Sequence, residues 1–154
     1  QDFDQDGNLD VLLTGNDFAA EVSVGRHDAL NGLLLKGNGN GTFAPVSLEK
    51  SGYCVTGDAK SLVKIMNPKG QLLTVTSQNK NSLRFFEYHF PVKSIPLKAN
   101  ETIALLKLKN GKTRREEIGF GSSFLSQSAH NLTISSDVQS VEIIDTKGAK
   151  RVIK

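Results

Sequence analysis

The chain has 154 residues, 38% of them apolar, with one cysteine and a formal net charge of +3. This length suits one domain or two small ones. Cys54 as the single cysteine excludes an internal disulfide and a cysteine-based zinc site, and no apolar run of about 18 residues is present, so membrane insertion is not expected.

The chain opens on Asp2, Asp4, Asp6, Asn8 and Asp10 at alternate positions, with Gly7 among them. Calcium takes six to eight hard oxygen ligands in flexible geometry, and alternate residues of a tight loop point at one ion. Gly7 permits the sharp turn this wrapping needs. The expected ligands are the side chains of Asp2, Asp4, Asp6 and Asp10 with the main-chain carbonyl of Asn8, and Ca2+ is the expected cofactor. Magnesium fits less well, because it keeps more water. In the helix–loop–helix version of such a loop a Glu closes the set; here that position is Leu13 and an apolar run follows, so the loop feeds a strand. Because the chain begins inside this motif, it is read as a fragment whose export signal lies upstream.

Short apolar runs separated by Gly, Asn, Asp and Lys follow. Val11–Thr14, Leu33–Leu35, Leu72–Val75 and Leu83–Phe86 read as strands in the first part, and Ile103–Leu108, Leu132–Ile134, Val141–Ile144 and Val152–Ile153 in the second. Between the first two runs lies a long segment with Arg26-His27-Asp28, which reads either as a binding loop or as a locally paired Arg26–Asp28. Gly37-Asn38-Gly39-Asn40-Gly41 precedes a strand rather than a helix, so it is a hairpin turn and not a phosphate cradle. Asn110-Gly111-Lys112 and Lys147-Gly148-Ala149 are also hairpin turns. No window has sustained helical periodicity.

Residues 4–12 align with residues 67–75, so that Gly7 matches Gly70, Leu9 matches Leu72 and, further on, Asn16 matches Asn79. A period of this size points to a repeat array such as propeller blades. The second copy has Ile65, Asn67, Lys69 and Leu73 where the first has Asp2, Asp4, Asp6 and Asp10. It keeps the turn but cannot hold a divalent cation, and Lys69 is a candidate to replace the ion's charge.

Charge divides the chain. Residues 1–96 carry nine Lys/Arg against ten Asp/Glu, and residues 97–154 carry ten against six, which places a boundary near Pro96. The basic second half, with Arg114-Arg115, raises nucleic acid or acidic glycans as partners. No aromatic stacking pattern accompanies the charge, so a solvated strand face is expected and no nucleic acid.

Asp2–Leu13 together with Leu33–Phe43 resembles an FG-GAP/VCBS-type repeat, and Gly57-Asp58-Ala59-Lys60 resembles the start of a degenerate second one. Arg115–Ser128, then Val141–Ile144 and the Lys147-Gly148 turn, resemble the ASPIC/UnbV domain that often follows such repeats. Where that family commonly has a Trp-Pro pair, this chain has Ile144-Asp145. The resemblance implies two repeats over 1–95, the first calcium-binding and incomplete at its N-terminus, and an ASPIC/UnbV-like β domain over 96–154. The implied fold is all-β: antiparallel propeller-blade-like sheets followed by a small β-sandwich-like domain. It implies an exported protein, secreted, periplasmic or at the cell surface, with roles in adhesion or carbohydrate-related systems.

No catalytic constellation emerges. Gly119-Phe120-Gly121-Ser122-Ser123 lacks the spacing and context of a nucleophile turn. Ser122, Ser123, Ser126 and Ser128 are expected to bond turns and sheet edges, and His27, His89 and His130 lack metal-ligand spacing. The sequence therefore reads as a non-catalytic calcium-binding module for adhesion, scaffolding or binding of a protein or glycan ligand. The alternative is the accessory region of a surface polysaccharide-processing enzyme whose catalytic part lies elsewhere. The C-terminal domain is expected to fold around Ile103, Leu105, Val141 and Ile143, and the first half to self-associate through exposed strand edges.

Overall fold

A computed structural model describes residues 1–90, 92–121 and 125–153. The described strands form four small antiparallel sheets, none closed into a barrel, so the chain is all-β.

The first sheet has β1 (Val11–Leu13), β2 (Leu33–Gly37) and β3 (Phe43–Val46) in that order. The glycine-rich turn between β2 and β3 is a hairpin, closed by the Asn38 amide on the Thr42 carbonyl at 3.0 Å. A one-turn helix, α1 (Leu48–Ser51), follows; Ser47 caps it and Gly52, at φ 65°, ends it. The second sheet is β4 (Ala59–Met66), β5 (Leu72–Gln78) and β6 (Asn81–Glu87), again with chain neighbours side by side. Tyr53, Val55 and Ala59 are buried between the two sheets with Leu12, Leu62 and Phe86 around them.

The second half contains β7 (Lys93–Pro96), β8 (Glu101–Leu108), β9 (Thr113–Glu117), β10 (Asn131–Ile134), β11 (Val138–Asp145) and β12 (Lys150–Ile153). β7 pairs with β10, and the other four form a sheet in the order β12-β11-β8-β9. One core joins both sheets: Ile95, Leu132 and Ile134 from the pair, Ala104, Leu106, Leu108, Val141 and Ile143 from the four. Full burial of each aliphatic side chain stabilises by about 1.5–3 kcal/mol. Ile95 is part of this core, so the core begins just before Pro96.

Val141 and Ile143 are buried as expected, but Ile103 and Leu105 are only half-buried. Ala104 lies opposite Ile143 and Leu106 opposite Val141, so these residues share the inward face. The run Ile103–Leu106 is apolar on both faces, and its own pattern does not fix the phase. At the start of β8 the buried Glu101 accepts from Arg151 Nε at 2.9 Å and Nη2 at 2.7 Å, and from the Lys98 amide at 2.8 Å.

The serine-rich stretch covers the outer edge of β4. Ser126 Oγ donates to the Leu62 carbonyl at 3.3 Å, the Lys64 amide donates to Ser128 Oγ at 3.1 Å, and the Ala129 amide donates to the Lys64 carbonyl at 2.8 Å. Ser122 and Ser123 lie outside the described residues. In the long segment after β1, Arg26 Nε meets Asp28 Oδ2 at 2.9 Å on the surface, which is the local pairing.

Candidate metal centre

The acidic loop is the turn that leads into β1. Gln1 and Asp10 close its base through the Asp10 amide on the Gln1 carbonyl at 2.8 Å. Asp10 is buried, and its carboxylate organises the neighbourhood: Oδ2 accepts from the Phe3 amide at 2.6 Å, and Oδ1 from the Gly37 amide at the end of β2 at 2.8 Å. A Cβ on Gly37 would lie 2.1 Å from the Leu9 carbonyl oxygen, so only glycine lets β2 approach this closely.

Of the five expected ligands, the fold gathers the carboxylates of Asp2, Asp4 and Asp10, with one oxygen from each within 4.8 Å of the others. Oxygens bound to one calcium at roughly 2.3–2.6 Å lie no more than about 5 Å apart, so the spacing fits. The Asp6 carboxylate is not in this group: Oδ1 accepts from the Asn8 amide at 2.8 Å, and Oδ2 pairs with Lys36 at 3.0 Å. The Asn8 side chain lies under Gly39, where an added Cβ would be 2.3 Å from its Oδ1.

Asp2 is 6% exposed. Its Oδ2 accepts from the Gly7 amide at 3.1 Å and faces Arg114 Nη1 at 3.5 Å. Its Oδ1 is buried without a hydrogen-bond partner. The nearby Ser135 hydroxyl interacts with both this carboxylate and Asp137 Oδ1. Burial pushes the Asp2 carboxyl above its ordinary value, outweighing Ser135, the Gly7 amide and Arg114, which act to hold it down. A buried carboxylate oxygen with no donor is costly unless a cation meets it.

Lys36 is a cation that sequence reasoning missed. Its ammonium bridges Asp4 and Asp6, and Asp4 first, then Asp6, raise its pKa above the ordinary lysine value. Burial pushes Asp6 up, but the Asn8 amide and Lys36 together outweigh it and hold Asp6 low. In the sequence Arg114 stands out by its charge alone. Lys36 and Arg114 reach the loop from far along the chain, so no local spacing signalled either.

The turn at residues 67–71, which the sequence aligns with the acidic loop, is closed differently. Asn67 Oδ1 accepts the amides of Lys69 and Gln71, each at 2.9 Å, so an asparagine side chain fills this turn where the acidic loop has carboxylates. Asn16 and Asn79 bind adjacent residues of one turn. Asn16 Nδ2 donates to the Gly57 carbonyl at 3.2 Å, and Asn79 Nδ2 to Asp58 Oδ2 at 3.1 Å.

Between the first two sheets lies a cleft of about 1030 Å³. Of the ten aromatic residues in the sequence, six line it: Phe3, Tyr53, Phe85, Phe86, Tyr88 and Phe90. Asp4, Asp10 and Lys36 also line it. His27, His89 and His130 belong to no cluster of potential metal ligands among the described residues. Compared with family models, curated proteins and solved structures, the chain matches none.

Proposed function

We propose that this chain is a non-catalytic, calcium-binding β-repeat module of an exported protein that serves adhesion, scaffolding or ligand binding. In this reading the two three-stranded sheets are blade-like units, and the C-terminal sheets are a small sandwich-like domain. The observation that carries it is the gathering of three carboxylates, Asp2, Asp4 and Asp10, around a buried Asp2 whose Oδ1 makes no hydrogen bond. A divalent cation among these carboxylates offsets their mutual repulsion and the burial of the Asp2 charge. Asp2, Asp4 and Asp10 would hold the ion, and water would complete its shell. The protein or glycan ligand is proposed to use the aromatic cleft, whose size suits a bound small molecule or short chain.

A second reading is favoured by Lys36. Its ammonium already neutralises Asp4 and Asp6, so the loop can be closed by a built-in cation. Thermal unfolding of the whole chain in calcium and in chelator separates the two readings. Binding of only the folded state stabilises by about 2.7 kcal/mol at one hundred times the dissociation constant, a rise of roughly 5–10 °C for a chain of this size. The calcium reading expects that rise in the wild type and its loss in Asp4→Ala. A wild type indifferent to calcium leaves the lysine-closed loop.

A further inference from the structure

We infer that the metal site is built from both halves of the chain: the acidic loop supplies the ligands, and Arg114 on β9 positions Asp2, so calcium binding and seating of the loop on the C-terminal sheets are coupled. This inference rests on the calcium reading above.

The loop tip is wedged against the second half at three points. Arg114 Nη1 donates to the Gly7 carbonyl at 2.8 Å and lies 3.5 Å from Asp2 Oδ2, so one nitrogen spans the turn's backbone and a ligand carboxylate. The Ser136 amide donates to Gln5 Oε1 at 3.2 Å. Gly7, at φ 89°, is packed so closely that a Cβ there would lie 2.6 Å from Asp137 Oδ2 and 3.4 Å from Leu108 Cδ1. The Lys109 amide, on the β8–β9 turn, donates to the Asp137 carbonyl at 2.8 Å, tying the two parts of this seat together.

The Asp2 carboxylate, which belongs to the cluster with Asp4 and Asp10, is held in place through Oδ2, which accepts from the Gly7 amide and faces Arg114. Outer contacts that orient a ligand set metal affinity nearly as strongly as the ligand itself. The guanidinium charge also repels a divalent ion, which acts the other way. That charge is offset by Glu116, whose Oε1 lies 3.0 Å from Arg114 Nε, so positioning dominates. Linkage is reciprocal: an ion that requires the seated loop must also strengthen the seat.

The test is calcium titration calorimetry on the full chain, with folding checked by circular dichroism. Arg114→Gln should weaken binding roughly tenfold or more. Arg114→Lys should recover part of the loss, because an ammonium still donates to the Gly7 carbonyl. Arg115→Gln is the control: Arg115 pairs with Glu117 on the exposed face of the same strand, so its loss should change affinity by less than about twofold. Calcium should also slow hydrogen exchange at the Gly7 and Ser136 amides in the wild type, and less in Arg114→Gln. Where Arg114→Gln does not fold, Gln5→Ala opens the same seat from the loop side and should weaken binding too. Calcium affinity equal to wild type in the folded variants overturns this inference alone. A wild type that takes no calcium overturns the calcium reading and this inference with it.

Discussion

Lys36, on β2, places its ammonium 3.0 Å from the Asp6 carboxylate and bonds Asp4 as well, so the acidic loop carries a competitor for the proposed ion. Both partners are surface groups, and their pairing is screened by salt. Lys36→Gln removes the competitor while leaving the ligands in place. Calcium should then bind a few-fold more tightly, and in chelator the loop should be less protected from proteolysis than in the wild type. Tighter binding with no change in the chelated state would mean that Lys36 repels the ion without closing the loop.

Asp2 is a carboxyl whose ionised form the fold disfavours. Its folded pKa is raised by burial, so at neutral pH the ionised form costs stability, and the cost disappears as pH falls through that raised value. Asp2→Asn keeps the shape and removes the charge. In chelator it should be more stable than the wild type by about 1 kcal/mol, read as a rise of roughly 2–4 °C in thermal midpoint. In calcium it should lose the wild-type response. A variant less stable in both conditions would show that the Arg114 contact outweighs the burial of the charge.

Glu101 behaves in the opposite sense. Arg151, then the Lys98 amide, hold its carboxyl below the ordinary glutamate value of 4.5, against the opposing effect of burial. A depressed folded pKa contributes stability that is present above the unfolded value and lost as pH falls through the folded one. Glu101→Gln should therefore cost about 1.5–3 kcal/mol near neutral pH, the usual worth of hydrogen bonds to a charged group. Urea unfolding should show that difference shrinking toward acid. A constant difference across the pH range would assign the loss to packing instead.

Much of this arrangement is legible along the chain. Alternating acids around Gly7 mark the loop, and Asn110-Gly111 and Lys147-Gly148 mark hairpins that the fold contains. What the sequence hides is set by distant partners. The inward phase of β8 follows from its register with β11, although Lys107, exposed in the same phase as Ile103 and Leu105, carried a hint of it. The strands β4, β7 and β9 are hidden in the sequence because Lys60, Lys93 and the run Arg114–Glu117 break their apolar pattern. The half-buried Lys64 on β4 is also desolvated, with its pKa lowered by burial against the opposing pull of Glu116. Asp6 stands outside the carboxylate cluster, with one oxygen on the Asn8 amide and the other on Lys36, which is far away in sequence.

The last prediction concerns β6. It lies at the edge of its sheet, pairing with β5 alone, and exposes Leu83 and Phe85 at 53% and 56%. An edge strand offers unpaired N–H and C=O groups to a second chain, and apolar side chains on one face reward the pairing. Charged residues oppose it, and β6 places Arg84 next to those two apolar side chains on the other face. Light scattering should show concentration-dependent self-association of the wild-type chain. Phe85→Lys puts a charge on the apolar face without touching the buried clusters, and it should lower that association. Val152→Lys on β12, an equally exposed valine at the edge of the C-terminal sheet, should leave it unchanged, because association is assigned to the first half. A wild type that stays monomeric at the highest concentration reached would show that Arg84 and the twist of the edge suffice to keep β6 unpaired. Equal sensitivity to Val152→Lys would move the contact to the other half of the chain.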